Sequence, residues 1–284
     1  MPFAQALLVP FFFLLIIHNN FIKLYENKYN MNIGMIAWSY YPRQGGSTTT
    51  VSHLTQALKE KGIKSEIICP DINKFGIFNE KGIRVHRVGN SLTKNFTKNK
   101  DRLIFLNLLR RKIKQLSKNI DIFHSHDFNI GTAAGILGKK NRPLCAVYGA
   151  DMTFEYVNYN RKKPLSYSEV IKLKNPKTII LNKIQKELIK KTDKIIMISP
   201  SLKKDILHYY KNANLTYIPC GINIKKFENS RFNKNNKKIL MVTRFVSWKN
   251  IDGAIKIYNL VKQKHNAAIM TIIGTGPLIN YYSY

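Results

Sequence analysis

The stretch that decides the fold is Met31-Asn32-Ile33-Gly34-Met35-Ile36-Ala37-Trp38, followed by Tyr40-Tyr41-Pro42-Arg43-Gln44-Gly45-Gly46. A short apolar run, then a loop closing on two glycines, reads as a buried strand feeding a helix. Ser47 is placed to cap that helix, Val51, Leu54 and Leu58 share one of its faces, and Gly62 ends it. No G-x-G-x-x-G follows the strand, which argues against a dinucleotide-binding dehydrogenase. The two glycines before a helix start outline an anion site, with the N–H groups of Ser47–Thr50 pointing to it. An ordinary tight turn has the same sequence.

Outward from this unit, strands and helices alternate. Strands are expected at Ser65–Cys69, Ile83–Val88, Ile120–Ser125, Leu144–Tyr148, Lys194–Ser199 and Leu215–Pro219. Helices are expected at Asp101–Ser117, Gly131–Leu137, Lys177–Lys191 and Ser201–Tyr210. Such alternation predicts an α/β, doubly wound parallel sheet. Asn229–Lys238 has no apolar periodicity and reads as a linker. Beyond it come a strand Lys238–Val242, a helix Asp252–Lys264 and a strand Ala268–Ile273. The organisation expected is a leader at 1–30, a first domain at 31–228, a linker at 229–237 and the start of a second domain at 238–284. Two strands and one helix do not cover both faces of a parallel sheet, so the second domain reads as cut short.

The leader carries the apolar run Ala4–Ile17, interrupted by Pro10. It is short for a spanning helix and lacks the basic start and cleavage site of a signal peptide. It reads as an anchor, or as a non-structural extension before a true start at Met31. If it inserts, Lys23 and Lys28 keep the rest cytoplasmic, at the cytoplasmic face of the membrane.

A chain of 284 residues, 44% hydrophobic, can build a real core, and wholesale disorder is excluded. Lys and Arg number 47 against 16 Asp and Glu, a formal net charge of +31. That surplus suits nucleic acid, an anionic membrane surface or phosphorylated substrates. Only ten of the cations are Arg, and the Lys/Asn/Ile bias is equally what coding-sequence composition produces, so charge alone names no partner. Cys69, Cys145 and Cys220 are widely spaced and form neither a metal pattern nor a disulfide framework.

Several motifs sit where strands end, at the sheet edge that binds ligands in doubly wound folds. His124-Ser125-His126-Asp127 closes one strand; with no third ligand nearby, a positioning or polar-packing role outweighs metal binding. Tyr148-Gly149-Ala150-Asp151 closes another, and Asp151 is suited to a sugar hydroxyl or to capping a turn. Arg244 and Lys249 follow the first strand of the second unit, where a guanidinium and an ammonium can grip a diphosphate. Gly274-Thr275-Gly276-Pro277 ends the next strand, so the two loops are expected side by side in one phosphate site.

In this order the motifs resemble glycosyltransferase family four, with the GT-B fold of two Rossmann-like domains. The residues carrying the likeness are Tyr41-Pro42 with Gly45-Gly46, Asp121 through Asp127, Ile196–Ser199 with Leu202, and Ile218 through Asn223 with Phe227. Arg244 with Lys249 and Gly274 through Pro277 complete it. The resemblance implies retaining transfer of a sugar from a nucleotide-sugar donor, a co-substrate rather than a cofactor, without a metal. The acceptor is a glycan or a lipid-linked group. By resemblance Arg244 and Lys249 bind the diphosphate, Gly45 and Gly46 let donor and acceptor approach, and Gly274 and Gly276 lie in a donor-side loop. His126, Asp127 and Tyr148 are the candidate catalytic residues. Tyr148 stands where the family often has a histidine against the transferred sugar. Cys220 and Asn223 replace an asparagine and an aspartate. The family's paired glutamates do not occur before Tyr284, so donor affinity and turnover are expected to be very low.

A second reading is a non-catalytic membrane-surface module. Asp101–Lys118 joins Leu103, Ile104, Phe105, Leu106, Leu108 and Leu109 to Arg102, Arg110, Arg111, Lys112, Lys114 and Lys118. Such a helix lies on anionic lipid, or packs in a core with a basic outer face. Nucleic acid is the weakest partner, since there is no RNP-like aromatic pattern, Cys/His finger or reading helix.

Overall fold

The computed structural model describes residues 31–43, 45–96, 98–222, 224 and 237–282. The readings made for the leader at 1–30, for Asn223 and Phe227, and for the linker apart from Lys237 lie outside the described residues. The elements begin with β1 (Asn32–Ile36), α1 (Gly46–Glu60), β2 (Lys64–Pro70), β3 (Gly76–Glu80), β4 (Ile83–Val88), α2 (Asn99–Leu116) and β5 (Ile122–Ser125). They continue through α3 (Ile130–Gly138), β6 (Leu144–Tyr148), α4 (Met152–Asn158), α5 (Tyr167–Val170), α6 (Pro176–Lys191), β7 (Lys194–Met197), α7 (Leu202–Tyr209) and β8 (Leu215–Tyr217). Last come β9 (Lys238–Val242), a 3-10 turn at Ser247–Lys249, α8 (Ile251–Lys264), β10 (Ile269–Ile273) and α9 (Ile279–Tyr282). Among the described residues no helix is long and apolar enough to cross a membrane.

The chain divides into two compact units. The first runs up to Gly149 and takes in Lys183–Ile222; the second holds Ala150–Asn182 and the residues from Asn223 on. Ala150–Asn182 precedes the linker in sequence, yet it packs with residues beyond the linker. The buried Ser247 hydroxyl donates to the Asn158 carbonyl at 3.2 Å, and the Trp248 ring lies near those of Phe154 and Tyr159.

The first unit is an eight-stranded sheet ordered β3-β4-β2-β1-β5-β6-β7-β8. Its pairings are parallel except that of β3, which runs antiparallel to β4 at the edge. The alternation of β1 explains why both faces are covered. Ile33, Met35 and Ala37 point to one face, where they pack with Val51 and Leu58 of α1. Ile36 points to the other, with Leu109 and Ile113 of α2 and Ala134 of α3. Continuous apolar runs of this kind belong to parallel strands buried on both sides. Gly34 is small for a reason: a Cβ there would stand 2.7 Å from the Phe123 ring on neighbouring β5.

Strands β4, β6 and β9 fall at the expected bounds, and most others within a residue or two. The structure adds β3, α4, α5 and α9. β3 is mostly exposed and so has no apolar run to betray it. The α4 and α5 helices are started by side chains, Asp151 accepting from Phe154 N at 2.8 Å and Ser166 forming a capping box with Glu169. The expected cap at Ser47 is corrected: α1 begins at Gly46 with Gly45 as its N-cap, and Ser47 lies inside the first turn.

The second unit contains the parallel pair β9–β10 with α8 against it. Met241 and Ile272 pack with Phe245, Ile251, Ile255, Leu278 and Tyr282.

Gly34→Ala is expected to lower unfolding stability by about 1–3 kcal/mol, the usual range for overpacking a core. A urea titration checks this; an unchanged midpoint would show that Phe123 yields freely.

Candidate functional site

In the first unit the chain builds outward from β1 in both directions, and strand order reverses between β1 and β5. The loops leaving the carboxyl ends of these two strands are therefore the natural ligand-binding position of the sheet. After β1 comes the loop to Gly46. Thr48, fully buried, donates from Oγ1 to the Ser39 carbonyl at 3.1 Å and holds the helix start against the loop. Arg87, 5% exposed, donates from Nη2 to the Tyr41 carbonyl at 2.5 Å. The same guanidinium pairs with Asp71 at 2.7 Å and Glu80 at 2.6 Å. Arg43 lies over the Phe96 ring, 3.8 Å from its centroid. A buried, fully paired guanidinium thus fixes the loop's direction.

Gly45 is extended, and its carbonyl accepts from Thr49 N at 3.0 Å. The free N–H groups at this helix start therefore do not include Thr49, contrary to the expectation for Ser47–Thr50. A Cβ at either Gly45 or Gly46 would meet no protein atom within 4 Å. The space above this backbone is open.

After β5, His126 N donates to the Ile36 carbonyl at 2.8 Å, extending the β1–β5 ladder. The rings of His124 and His126 are 4.4 Å apart. Burial pushes the His126 imidazole down to about 4. Burial, and then the neighbouring His126, push His124 well below the usual histidine range. Both are neutral at pH 7, so neither supplies a positive charge to a phosphate. The Asp127 carboxylate accepts from Gly131 N at 2.6 Å, and its carbonyl from Thr132 Oγ1 at 2.7 Å, which starts α3. Tyr148 is fully buried, with its ring edge-on to Phe128 and its hydroxyl accepting from Gln185 Nε2 at 2.6 Å. Cys69 and Cys145 are buried thiols pushed up to about 12, while Cys220 is exposed. Among the described residues no three His, Cys, Asp or Glu side chains gather as a metal site.

In the second unit the loops after β9 and β10 lie against each other. Thr243 N donates to the Ile273 carbonyl at 2.9 Å, Phe245 N to Thr275 at 2.8 Å, and Leu278 N to Phe245 at 3.1 Å. A Cβ on Gly274 would strike the Thr243 carbonyl oxygen, and one on Gly276 that of Phe245. The two glycines are needed so that one loop can press on the other. This pairing holds Arg244 and Lys249, both exposed, on one strand-end surface. Their charges act on Glu155 of α4. Although its side chain reaches solvent, the protein around Glu155 pushes its carboxyl up; Arg244 and Lys249 oppose that, and Asp151 adds to it. Asp151 itself is the cap of α4 described above. Sequence reading missed Arg87, the Arg43–Phe96 stack and Glu155. The signal for Arg87 was only its rarity in a chain whose cations are mostly lysine.

Residues 44–226 match the family model for Glycosyltransferase Family 4, and 223–283 that for Glycosyl transferases group 1. The chain belongs to glycosyltransferase family 4. Alpha-monoglucosyldiacylglycerol synthase of Acholeplasma laidlawii is 22% identical over 263 residues, covering 87% of this chain and 64% of the relative. The chain thus spans a little under two thirds of that protein's length. Among solved structures, the catalytic domain of starch synthase IV from Arabidopsis thaliana, bound to ADP and acarbose, aligns with a TM-score of 0.59 at 15% identity. It covers 87% of this chain and 69% of that one. An S. aureus TarM mutant in complex with fondaparinux, alpha-GlcNAc-glycerol and UDP aligns with a TM-score of 0.56 at 13% identity, covering 88% and 73%. Sucrose-phosphate synthase from Thermosynechococcus elongatus gives 0.55 at 15%, covering 89% and 73%. The fold is the α/β fold of GT-B glycosyltransferases.

Buried His124 and half-buried His126, whose Nε2 is enclosed, predict a loss of stability in acid. Unfolded His126 binds a proton near pH 6.5, folded His126 only near 4, so the unfolded state holds more protons between these values. Stability is full above about pH 6.5 and falls as pH drops toward 4, by about 3 kcal/mol from this residue. Urea midpoints across pH 4–7 measure it. His126→Gln is expected to flatten the curve, and an equally steep curve in that variant would refute the assignment.

Proposed function

We propose that this glycosyltransferase takes a sugar from a nucleotide-sugar donor and passes it, with retention, to a lipid-linked or glycan hydroxyl. The observation that carries the reading is the backbone pairing of the loops after β9 and β10, which presents Arg244 and Lys249 together. In this reading both cations hold the diphosphate and stabilise the negative charge that grows on it as the sugar leaves. Two of the similar structures were solved with ADP or UDP, in keeping with a nucleotide there. The open backbone at Gly45 and Gly46 gives donor and acceptor access to the first unit.

Tyr148, His126 and Asp127 act in this proposal as positioning residues. Neutral histidines and a capping aspartate hold the loop after β5 in place without reacting. A lipid acceptor is favoured over a glycan by the glucosyldiacylglycerol synthase relative, which also brings the reaction to a membrane surface.

Calorimetric titration with UDP, GDP and ADP tests the donor site. One nucleotide is expected to bind weakly, with 1:1 stoichiometry, and Arg244→Ala to weaken it further by about tenfold or more, as for loss of a charge-assisted hydrogen bond. Gly274→Ala should weaken it too, by displacing the loop that supports Arg244. Binding that ignores Arg244, or no binding of any of the three, would overturn the reading.

A further inference from the structure

We propose that the outer face of α6 is a docking surface for an anionic lipid bilayer. One side of this helix is core: Thr178, Gln185, Leu188 and Ile189 are buried. On an ordinary surface helix the opposite side is mostly polar. Here Ile179, Ile180 and Ile184 stand in solvent, 47%, 56% and 43% exposed. Ile180 and Ile184 are one turn apart and share a strip with Lys177 and Lys191. Lys183, Lys186 and Lys190 flank that strip, and all five lysines are exposed. Glu187 is the helix's one acid, and Lys191 pairs with it at 3.2 Å.

Bilayer interfaces reward this combination. Branched apolar side chains reach the acyl boundary, while ammonium groups remain at the anionic headgroups and their stems cover apolar surface. A polynucleotide would use the lysines and leave the isoleucines in water. The helix expected from sequence to serve this role, α2, offers less of such a face. Its Phe105, Leu109 and Ile113 are fully buried in the sheet's core, and the apolar residue it exposes strongly is Leu103, at 64%. Of the apolar residues in that second reading, Phe105 and Leu109 are taken up by packing, and Ile104, Leu106 and Leu108 are half-buried. The proposal rests on the α6 face and not on the donor residues, so vesicle binding and nucleotide binding can fail separately.

Co-sedimentation of the full chain with vesicles tests it. Vesicles of phosphatidylglycerol and phosphatidylcholine are expected to pull the protein down, and pure phosphatidylcholine vesicles to leave it in solution. Raising salt to several hundred millimolar should release much of it. The double variant Ile180→Ser, Ile184→Ser is expected to lose binding at least fivefold with an unchanged melting temperature, and Lys183→Glu, Lys190→Glu to lose it as well. Leu103→Ser on α2 should bind as the parent does. No sedimentation with anionic vesicles, equal binding to neutral ones, or full binding by either double variant would overturn the proposal. So would a dimer in analytical ultracentrifugation that the isoleucine variant dissolves, since the occupant would then be a second copy.

Discussion

Because β1 lies in the middle of a parallel sheet, its odd and even side chains must each find an apolar partner, and that requirement organises the first unit. Ile33, Met35 and Ala37 need α1, while Ile36 needs α2 and α3. Helices on both faces follow from right-handed crossovers out of a strand buried on both sides. The same centrality places the reversal of strand order between β1 and β5. The loops that leave these strands therefore lead to helices on opposite faces, and they carry Gly45-Gly46 and His126-Asp127. Gly34 is where this arrangement is tightest, since the Phe123 ring takes the volume that a side chain there would need.

Charge, so conspicuous in the sequence, has a structural role in only a few places. Arg87 is the clearest: one guanidinium, surrounded by Asp71, Glu80 and the Tyr41 carbonyl, joins β4 to the loop after β1. A lysine could meet only part of that geometry, because its ammonium lacks the planar fork that reaches three acceptors in different directions. Most lysines among the described residues are by contrast exposed and unpaired with acids, as 47 cations against 16 anions requires. The surplus acquires a direction only where lysines stand beside exposed apolar side chains, as on α6.

Much of the fold was legible because apolar runs ended by Gly, Pro or polar clusters leave little choice of element. β4 and β6 read at their observed ends for this reason. What escaped was structure whose cause lies elsewhere in the chain. β3 pairs at an edge and needs no apolar pattern of its own. α4 and α5 are started by Asp151 and Ser166, short-range signals that Ser166-Tyr167-Ser168-Glu169 did contain. The grouping of Ala150–Asn182 with the later residues depends on contacts such as Ser247 to Asn158, some ninety residues apart, which no local pattern records. The candidate site was legible as a set of strand-end motifs. Its internal bonding was not: that Asp127 accepts from Gly131 N in the first turn of α3 and that Asp151 caps α4 are matters of side-chain direction.

The two glycine pairs show why a motif's residues need a structural cause before a functional one. Gly274 and Gly276 are explained inside the protein, since any side chain would collide with the carbonyls of Thr243 and Phe245 and part the loops that carry Arg244. In the proposed reading their effect on a ligand is therefore indirect, through the position of a cation. Gly45 and Gly46 have no such explanation. Neither has a left-handed backbone, and neither is crowded. Among the described residues no atom comes within 4 Å of where a side chain would stand, so this backbone is open to approach. In the proposed reading, this open backbone is where a sugar or phosphate approaches the end of β1.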